Sequence, residues 1–151
     1  MLNLYKYAKL LVFKTDPETA HGLTIKALKT GIVRPCKTVS SPALEQTIFG
    51  QKFASPVGMA AGFDKNADVP AALLNLGFGF AEVGTVTPRP QSGNPRPRIF
   101  REPESGSVIN RMGFPNGGLD LFSRNVDKFL NMPNKPSGVL GINIGMNKTQ
   151  E

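Results

Sequence analysis

The stretch PVGMAAGFDKNADVPAALLNLGFGFAEVGT, Pro56–Thr85, decides the fold, because it reads as strand, helix, strand. Val57–Ala61 is a short apolar run of strand length, Ala67–Leu76 is helical in pattern with Gly77 to end it, and Phe80–Val83 is a second apolar run. The rhythm continues downstream. Leu119, Phe122, Val126, Phe129 and Leu130 mark a helix near 117–131, and Val139–Ile144 a third strand. Strands apolar throughout, alternating with helices, predict an α/β fold with a parallel sheet covered on both faces. A long Pro/Gly/Arg loop separates the second strand from the helix near 117.

Upstream, Thr47–Phe53 has the pattern of a hairpin around Gly50-Gln51, although Gln is not the preferred second turn residue. Residues 32–44 form a polar, Pro-containing connector. Two short amphipathic helices precede it. Residues 3–14 carry Leu4, Tyr7, Ala8 and Leu11 on one stripe. A helix over 17–30, with Asp16 as N-cap and Pro17 at its first position, carries Ala20, Leu23 and Ala27 on one side and His21, Ile25 and Leu28 on the adjoining stripe. The pair makes a helical hairpin, 1–31, with more apolar face than one helix hides alone. It either docks on the main domain, residues 45–151, or lies on a membrane surface.

Composition narrows the function. No run of about 18 apolar residues occurs, so no helical membrane span is expected. Lys6, Lys9 and Lys14 interrupt any secretory signal core. Cys36 is the single cysteine, which excludes an internal disulfide, and His21 is the single histidine, which leaves no metal-ligand spacing and no His-based triad. The net charge of +7, concentrated in residues 1–52 and at Arg89, Arg96, Arg98 and Arg101, implies affinity for something anionic. A nucleic-acid-binding module is one reading of that charge, with no Trp and only Tyr5 and Tyr7 besides phenylalanines to stack on bases.

Three motifs set amides or a cation beside glycines. In AAGFDKNA, Ala60–Ala67, small residues let a flat ring approach the backbone while Lys65 brings positive charge; alternatively Lys65 is solvated and Asp64 caps the next helix. Gly84 and Thr85 follow the second strand, where α/β enzymes bind ligands. INRMGFPNGG, Ile109–Gly118, offers Asn110, Arg111 and Asn116 around Gly113, and GINIGMNK, Gly141–Lys148, sets Asn143 inside an apolar strand. Amides of this kind read a planar imide-and-carboxylate ligand, or else are satisfied by backbone.

These motifs, with EVGTVTPRPQSGNPRPRIFR at Glu82–Arg101 and DPETAH at Asp16–His21, resemble the membrane-associated, quinone-dependent class of dihydroorotate dehydrogenase over nearly the whole chain. The resemblance implies a (β/α)8 TIM-type barrel, of which these residues look like the first part, about three βα strands, so that the chain reads as truncated and inactive alone. It implies FMN as cofactor and oxidation of dihydroorotate to orotate, with electrons passing to ubiquinone or a similar quinone. Cofactor contacts are then expected at Ala61, Gly62, Phe63, Asp64, Lys65, Thr85 and Asn143, and substrate contacts at Lys65, Asn110, Arg111, Met112, Gly113 and Phe114. His21 and Arg101 match quinone-site positions, and the helical hairpin matches the membrane-facing segment. Peripheral membrane association follows, on the cytoplasmic face of the inner membrane if the source is bacterial. Pro115 stands where relatives often carry Asn, and the family's serine base is expected beyond Glu151. The soluble fumarate- or NAD-coupled class is the alternative within the family.

Overall fold

The computed structural model describes residues 12–31, 36 and 41–149. Helix α1 spans Pro17–Lys29; strands β1 (Gln46–Ile48) and β2 (Gln51–Phe53) form a hairpin. They are followed by β3 (Gly58–Met59), helix α2 (Pro70–Asn75), β4 (Phe80–Val86), β5 (Ile99–Glu102), β6 (Ser107–Asn110), helix α3 (Leu119–Leu130) and β7 (Val139–Ile144). The central sheet has the order β3-β4-β7 and is parallel throughout, with Met59 opposite Ala81 and Gly84 opposite Asn143. The chain is therefore mixed α/β with the expected parallel βα succession.

Helices cover one face of this sheet. Ala81 and Val83 alternate onto that face of β4 and are fully buried. One cluster joins Ala81 to Leu28, Leu73, Leu74 and Phe129; a second joins Val83 and Val86 to Phe122 and Val126. Complete burial of Leu73 alone is worth about 1.5–3 kcal/mol. Coverage of both faces was the expectation. Among the described residues the opposite face instead carries half-buried Phe80 and Glu82, with Phe53 of the β1–β2 hairpin set edge-on against Phe80 at 5.8 Å.

Several boundaries differ from the sequence expectation, each for a local reason. Helix α2 starts at Pro70 rather than Ala67: Ala67 has φ 56°, and the Asp64 carboxylate accepts the Asp68 and Val69 amides, both at 2.7 Å. The first hairpin turns at Phe49-Gly50, not Gly50-Gln51, because both turn positions need positive φ (50° and 76°) and the glycine takes the second. Strand β3 is only two residues long, whereas β4 runs on through Thr85 to Val86 with a register shift at Gly84/Val86. The Pro-rich stretch holds the antiparallel β5–β6 hairpin, which proline density concealed.

In α1 the Asp16 side chain accepts the Thr19 amide at 2.8 Å, as its N-cap position predicts. The buried stripe is Ala20, with half-buried His21 and Ile25 and buried Leu28; Leu23 and Ala27 face outward, because the helix docks through Leu28 onto the α2–α3 cluster. Most of the helix expected over 3–14, residues 3–11, and most of the connector lie outside the described residues.

Candidate functional site

Two of the glycine- and amide-bearing segments, Ala60–Ala67 and Ile109–Gly118, converge with Thr85 on a cavity of about 520 Å³ beyond the carboxyl ends of β3 and β4. Its floor is Ala61 and Gly62, anchored where the Gly62 amide donates to the Gly84 carbonyl at 2.8 Å. Lys65 and Thr85 form one side, and the run Asn110–Phe114 the other. The volume is in the range of small-molecule and cofactor sites. A hollow of about 540 Å³ between α1, α2 and α3 is slightly larger, but it contains the Lys29–Asp68 ion pair and, of the glycine-rich segments, only Ala67.

Lys65 comes from the loop between β3 and α2 and forms no hydrogen bond or ion pair among the described residues. Burial lowers its pKa; Glu18 opposes that shift and Arg98 adds to it. A desolvated, unpaired ammonium facing a cavity is a site for a carboxylate or an electron-rich ring. Asn110 Oδ1 receives only the Met112 amide, at 3.4 Å, and its Nδ2 is open among the described residues.

Thr85 and Asn143 act as a pair. The Thr85 hydroxyl donates to Asn143 Oδ1 at 2.6 Å, and Asn143 Nδ2 donates to Glu82 Oε1 at 2.9 Å. Because a carboxylate only accepts, Glu82 sets which end of the Asn143 amide meets Thr85. Asn143 thus reaches the cavity through Thr85 and does not line it. Glu82 was not foreseen, although a lone acid in the apolar run FAEVGTV is a visible signal.

Asn94, also unforeseen, lines the cavity; its Nδ2 donates to the Arg111 carbonyl at 2.7 Å and its amide to the Met112 carbonyl at 2.9 Å. Pro115 adds an apolar edge. Arg111 contributes its position, but its guanidinium turns away to the Pro97 carbonyl, 3.1 Å, and the Phe100 ring.

Other expected contacts lie elsewhere. The Asp64 side chain, its pKa raised by burial, accepts the Asp68 and Val69 amides just ahead of α2, and neither it nor Phe63 lines this cavity. Asn116 is a structural hub. Its Oδ1 accepts the Thr87 and Gly118 amides at 3.3 and 2.8 Å, and its Nδ2 donates to Thr87 Oγ1 and the Phe114 carbonyl, both at 2.9 Å.

A second cavity of about 340 Å³ adjoins the first, sharing Lys65, Met112 and Pro115, and is bounded by α1. Here His21 Nε2 donates to the Phe63 carbonyl at 2.6 Å while its ring packs edge-on against Phe63. Burial lowers the His21 pKa, which favours the neutral ring. Arg101 is not in this lining; it donates to the Phe13 and Thr15 carbonyls at 3.2 and 2.8 Å, ahead of α1. His21 and Arg101 therefore both meet the amino-terminal segment without sharing a described cavity.

Comparison with known proteins gives the family. The sequence profile of the family described as dihydroorotate dehydrogenase matches residues 43–151. A relative from Rhizobium etli named dihydroorotate dehydrogenase (quinone) is 54% identical over 146 residues, covering 97% of this chain and 39% of its own length. One of the same name from Brucella ovis is 56% identical over 140 residues, 93% of this chain and 37% of its own. The crystal structure of DHODH in complex with ferulenol from Eimeria tenella superimposes with a TM-score of 0.80 at 43% identity, covering 90% of this chain and 38% of that one. The chain spans about two fifths of the length of the curated relatives it matches. It belongs to the dihydroorotate dehydrogenase family.

Proposed function

We propose that this dihydroorotate dehydrogenase family chain carries the flavin floor and the substrate-side wall of a quinone-dependent enzyme. The reaction is oxidation of dihydroorotate to orotate in pyrimidine biosynthesis. The observation that carries this is the convergence of Ala61, Gly62, Lys65, Thr85 and the run 110–114 on one cavity. The residues fit FMN. A side-chain-poor floor admits a flat ring, and at Gly62 (φ 100°) an added Cβ would meet nothing within 4 Å, so the space above the backbone is open. When bound, FMN supplies the two-electron acceptor.

The chain's own residues bind and orient. Lys65 offsets negative charge on the ring or the pyrimidine carboxylate, and its desolvation strengthens that interaction. Asn110 offers an open amide to the pyrimidine. Thr85, held by Asn143, presents its oxygen toward the ring. The sheet is read as part of a TIM-type barrel, in which ligands bind at the carboxyl ends of strands.

Association with the membrane surface, on the cytoplasmic face of the inner membrane in a bacterial source, draws support from α1 and the residues ahead of it, where Val12 and Phe13 beside Lys14, and Leu23 and Lys26 in the helix, are exposed. No helix among the described residues is long and apolar enough to cross a membrane. The quinone is assigned to the α1 side, where His21 lines the adjoining cavity. Relatives named for the quinone enzyme favour this class over the soluble one and over a nucleic-acid module.

The test is titration with FMN by flavin fluorescence, then of the loaded protein with orotate by flavin difference spectrum. Replacing Lys65 with Met is expected to weaken orotate binding roughly 10- to 100-fold, the worth of a hydrogen bond to a charged group. Failure to bind FMN, or orotate binding indifferent to Lys65, refutes the assignment.

A further inference from the structure

We propose that Glu18 and Arg98 are a positioning pair that ties helix α1 to the substrate-side wall, so that the seating of α1 sets the affinity of the cavity for the pyrimidine. The inference rests on the reading of the 520 Å³ cavity as the orotate site.

Arg98 is 6% exposed and directs its donors inward. Nε and Nη2 form a two-pronged contact with Glu18, at 3.0 Å to Oε2 and 2.5 Å to Oε1. Nη1 donates to the Ser92 and Asn94 carbonyls at 2.6 and 2.9 Å. One guanidinium thus joins the first turn of α1 to residues 92–94. From there the path continues through Asn94, whose amide and side chain hold the Met112 and Arg111 carbonyls. Gly93 fits this junction because φ is 75° and a Cβ would stand 2.8 Å from Arg98 Nη1.

Neither Glu18 nor Arg98 lines the cavity; they reach its wall through Asn94 and through the Arg98 carbonyl, which accepts the Arg111 amide at 2.9 Å, and their charges also act on Lys65. Arg96 also reaches Glu18, at 2.9 Å, but its side chain is 70% exposed and contributes little. A lysine at 98 could not hold a carboxylate and two carbonyls together, because it lacks the planar fork. The same helix grips the other wall, where His21 holds the Phe63 carbonyl two residues before Lys65.

The experiment compares Glu18→Gln and Arg98→Lys with the unaltered chain, all loaded with FMN. Orotate affinity is expected to fall roughly tenfold in each, and the double variant to be no weaker than the weaker single, because the two act as one unit. FMN affinity stays within about twofold of the unaltered chain, since the floor at Ala61-Gly62 is held separately through Gly84. Hydrogen exchange at residues 92–94 and 110–114 quickens in both. A merely structural pair would lower the melting temperature and leave orotate affinity and local exchange of the folded protein unchanged; that result overturns the proposal. If both variants fail to fold, Asn94→Ala, which keeps the Glu18–Arg98 contact, must show the same orotate loss, and unchanged affinity overturns the proposal as well. Absence of orotate binding in the unaltered chain refutes the substrate reading instead. Exchange at 92–94 and 110–114 in Glu18→Gln, measured without ligand, then decides whether the tie exists.

Discussion

Replacing Gly84 with Ala tests how the sheet and the site are joined. Gly84 sits in β4 at φ 113° and pairs with Asn143 of β7. A Cβ there would fall inside 3.0 Å of the Asn143 carbonyl oxygen and 3.1 Å from the Val86 nitrogen, both backbone atoms that cannot swing aside. Two costs follow. Holding alanine at this φ costs about 1–3 kcal/mol, and separating the strands costs about 1–3 kcal/mol as overpacking. A loss near 3 kcal/mol lowers the melting temperature by roughly 6–12 °C in a chain of this size. Two glycines serve as controls. At Gly141, in the same ladder, a Cβ would meet the Glu82 Cγ at 3.4 Å, an ordinary contact, so Gly141→Ala is expected to change stability by less than about 1 kcal/mol. At Gly62 the space is open but φ is 100°, so only the backbone cost, about 1–3 kcal/mol, applies. Urea and thermal unfolding should rank the variants Gly84→Ala below Gly62→Ala below Gly141→Ala. FMN affinity should also fall in Gly84→Ala, because displacing β7 draws Asn143 away from the Thr85 hydroxyl it receives at 2.6 Å. Equal stability of Gly84→Ala and Gly141→Ala would refute the reasoning.

The remaining expectations concern buried polar groups. Asn116→Ala strands two backbone amides and the Phe114 carbonyl, and urea unfolding should register a loss of about 2–4 kcal/mol with weaker orotate binding. Arg98 holds the Glu18 carboxyl below its ordinary 4.5, so this pair's contribution is present above that pH and is lost as pH falls through the lowered value. Acid unfolding monitored by circular dichroism should therefore be steeper below about pH 4.5 in the unaltered chain than in Glu18→Gln. Burial lowers the Lys65 pKa, so orotate affinity should decline with rising pH before the ordinary lysine value of 10.5 is reached, and Lys65→Arg should retain affinity to higher pH.

What the sequence made legible depended on whether a segment's conformation is fixed by its own pattern. Helix α3 places Phe122, Val126 and Phe129 at helical spacing, and β7 is an apolar run broken only by Gly141 and Asn143, so both stand where expected. Helix α2 does not begin where its pattern does, because the Asp64 side chain, just ahead of Ala67, claims the amides of Asp68 and Val69 that the first turn would use. The β5–β6 hairpin was hidden because each strand is four residues long and its flanks are rich in proline. The outward stripe of α1 was misjudged since two adjoining apolar stripes are equivalent until a docking partner exists, and Leu28 meets that partner.

Amides around glycines are ambiguous in sequence because they serve two purposes, and hydrogen-bond saturation separates them. Loops lack ladder partners, so buried backbone groups there need side chains. Asn116 satisfies three such groups and the Thr87 hydroxyl, and Asn147 holds Arg89 through both its amide and its carbonyl while reaching Gln91 Oε1 at 3.1 Å. Asn66 accepts the Gly117 amide at 2.8 Å. These amides are spent on the scaffold. Lys65 and Asn110 keep donors open toward the cavity, which is what a ligand-facing residue requires. Asn143 lies between the two cases: Glu82 takes one end of its amide and Thr85 the other, so it acts on a ligand by orienting Thr85. Spacing alone could not sort Asn110 from Asn116; the count of filled partners does.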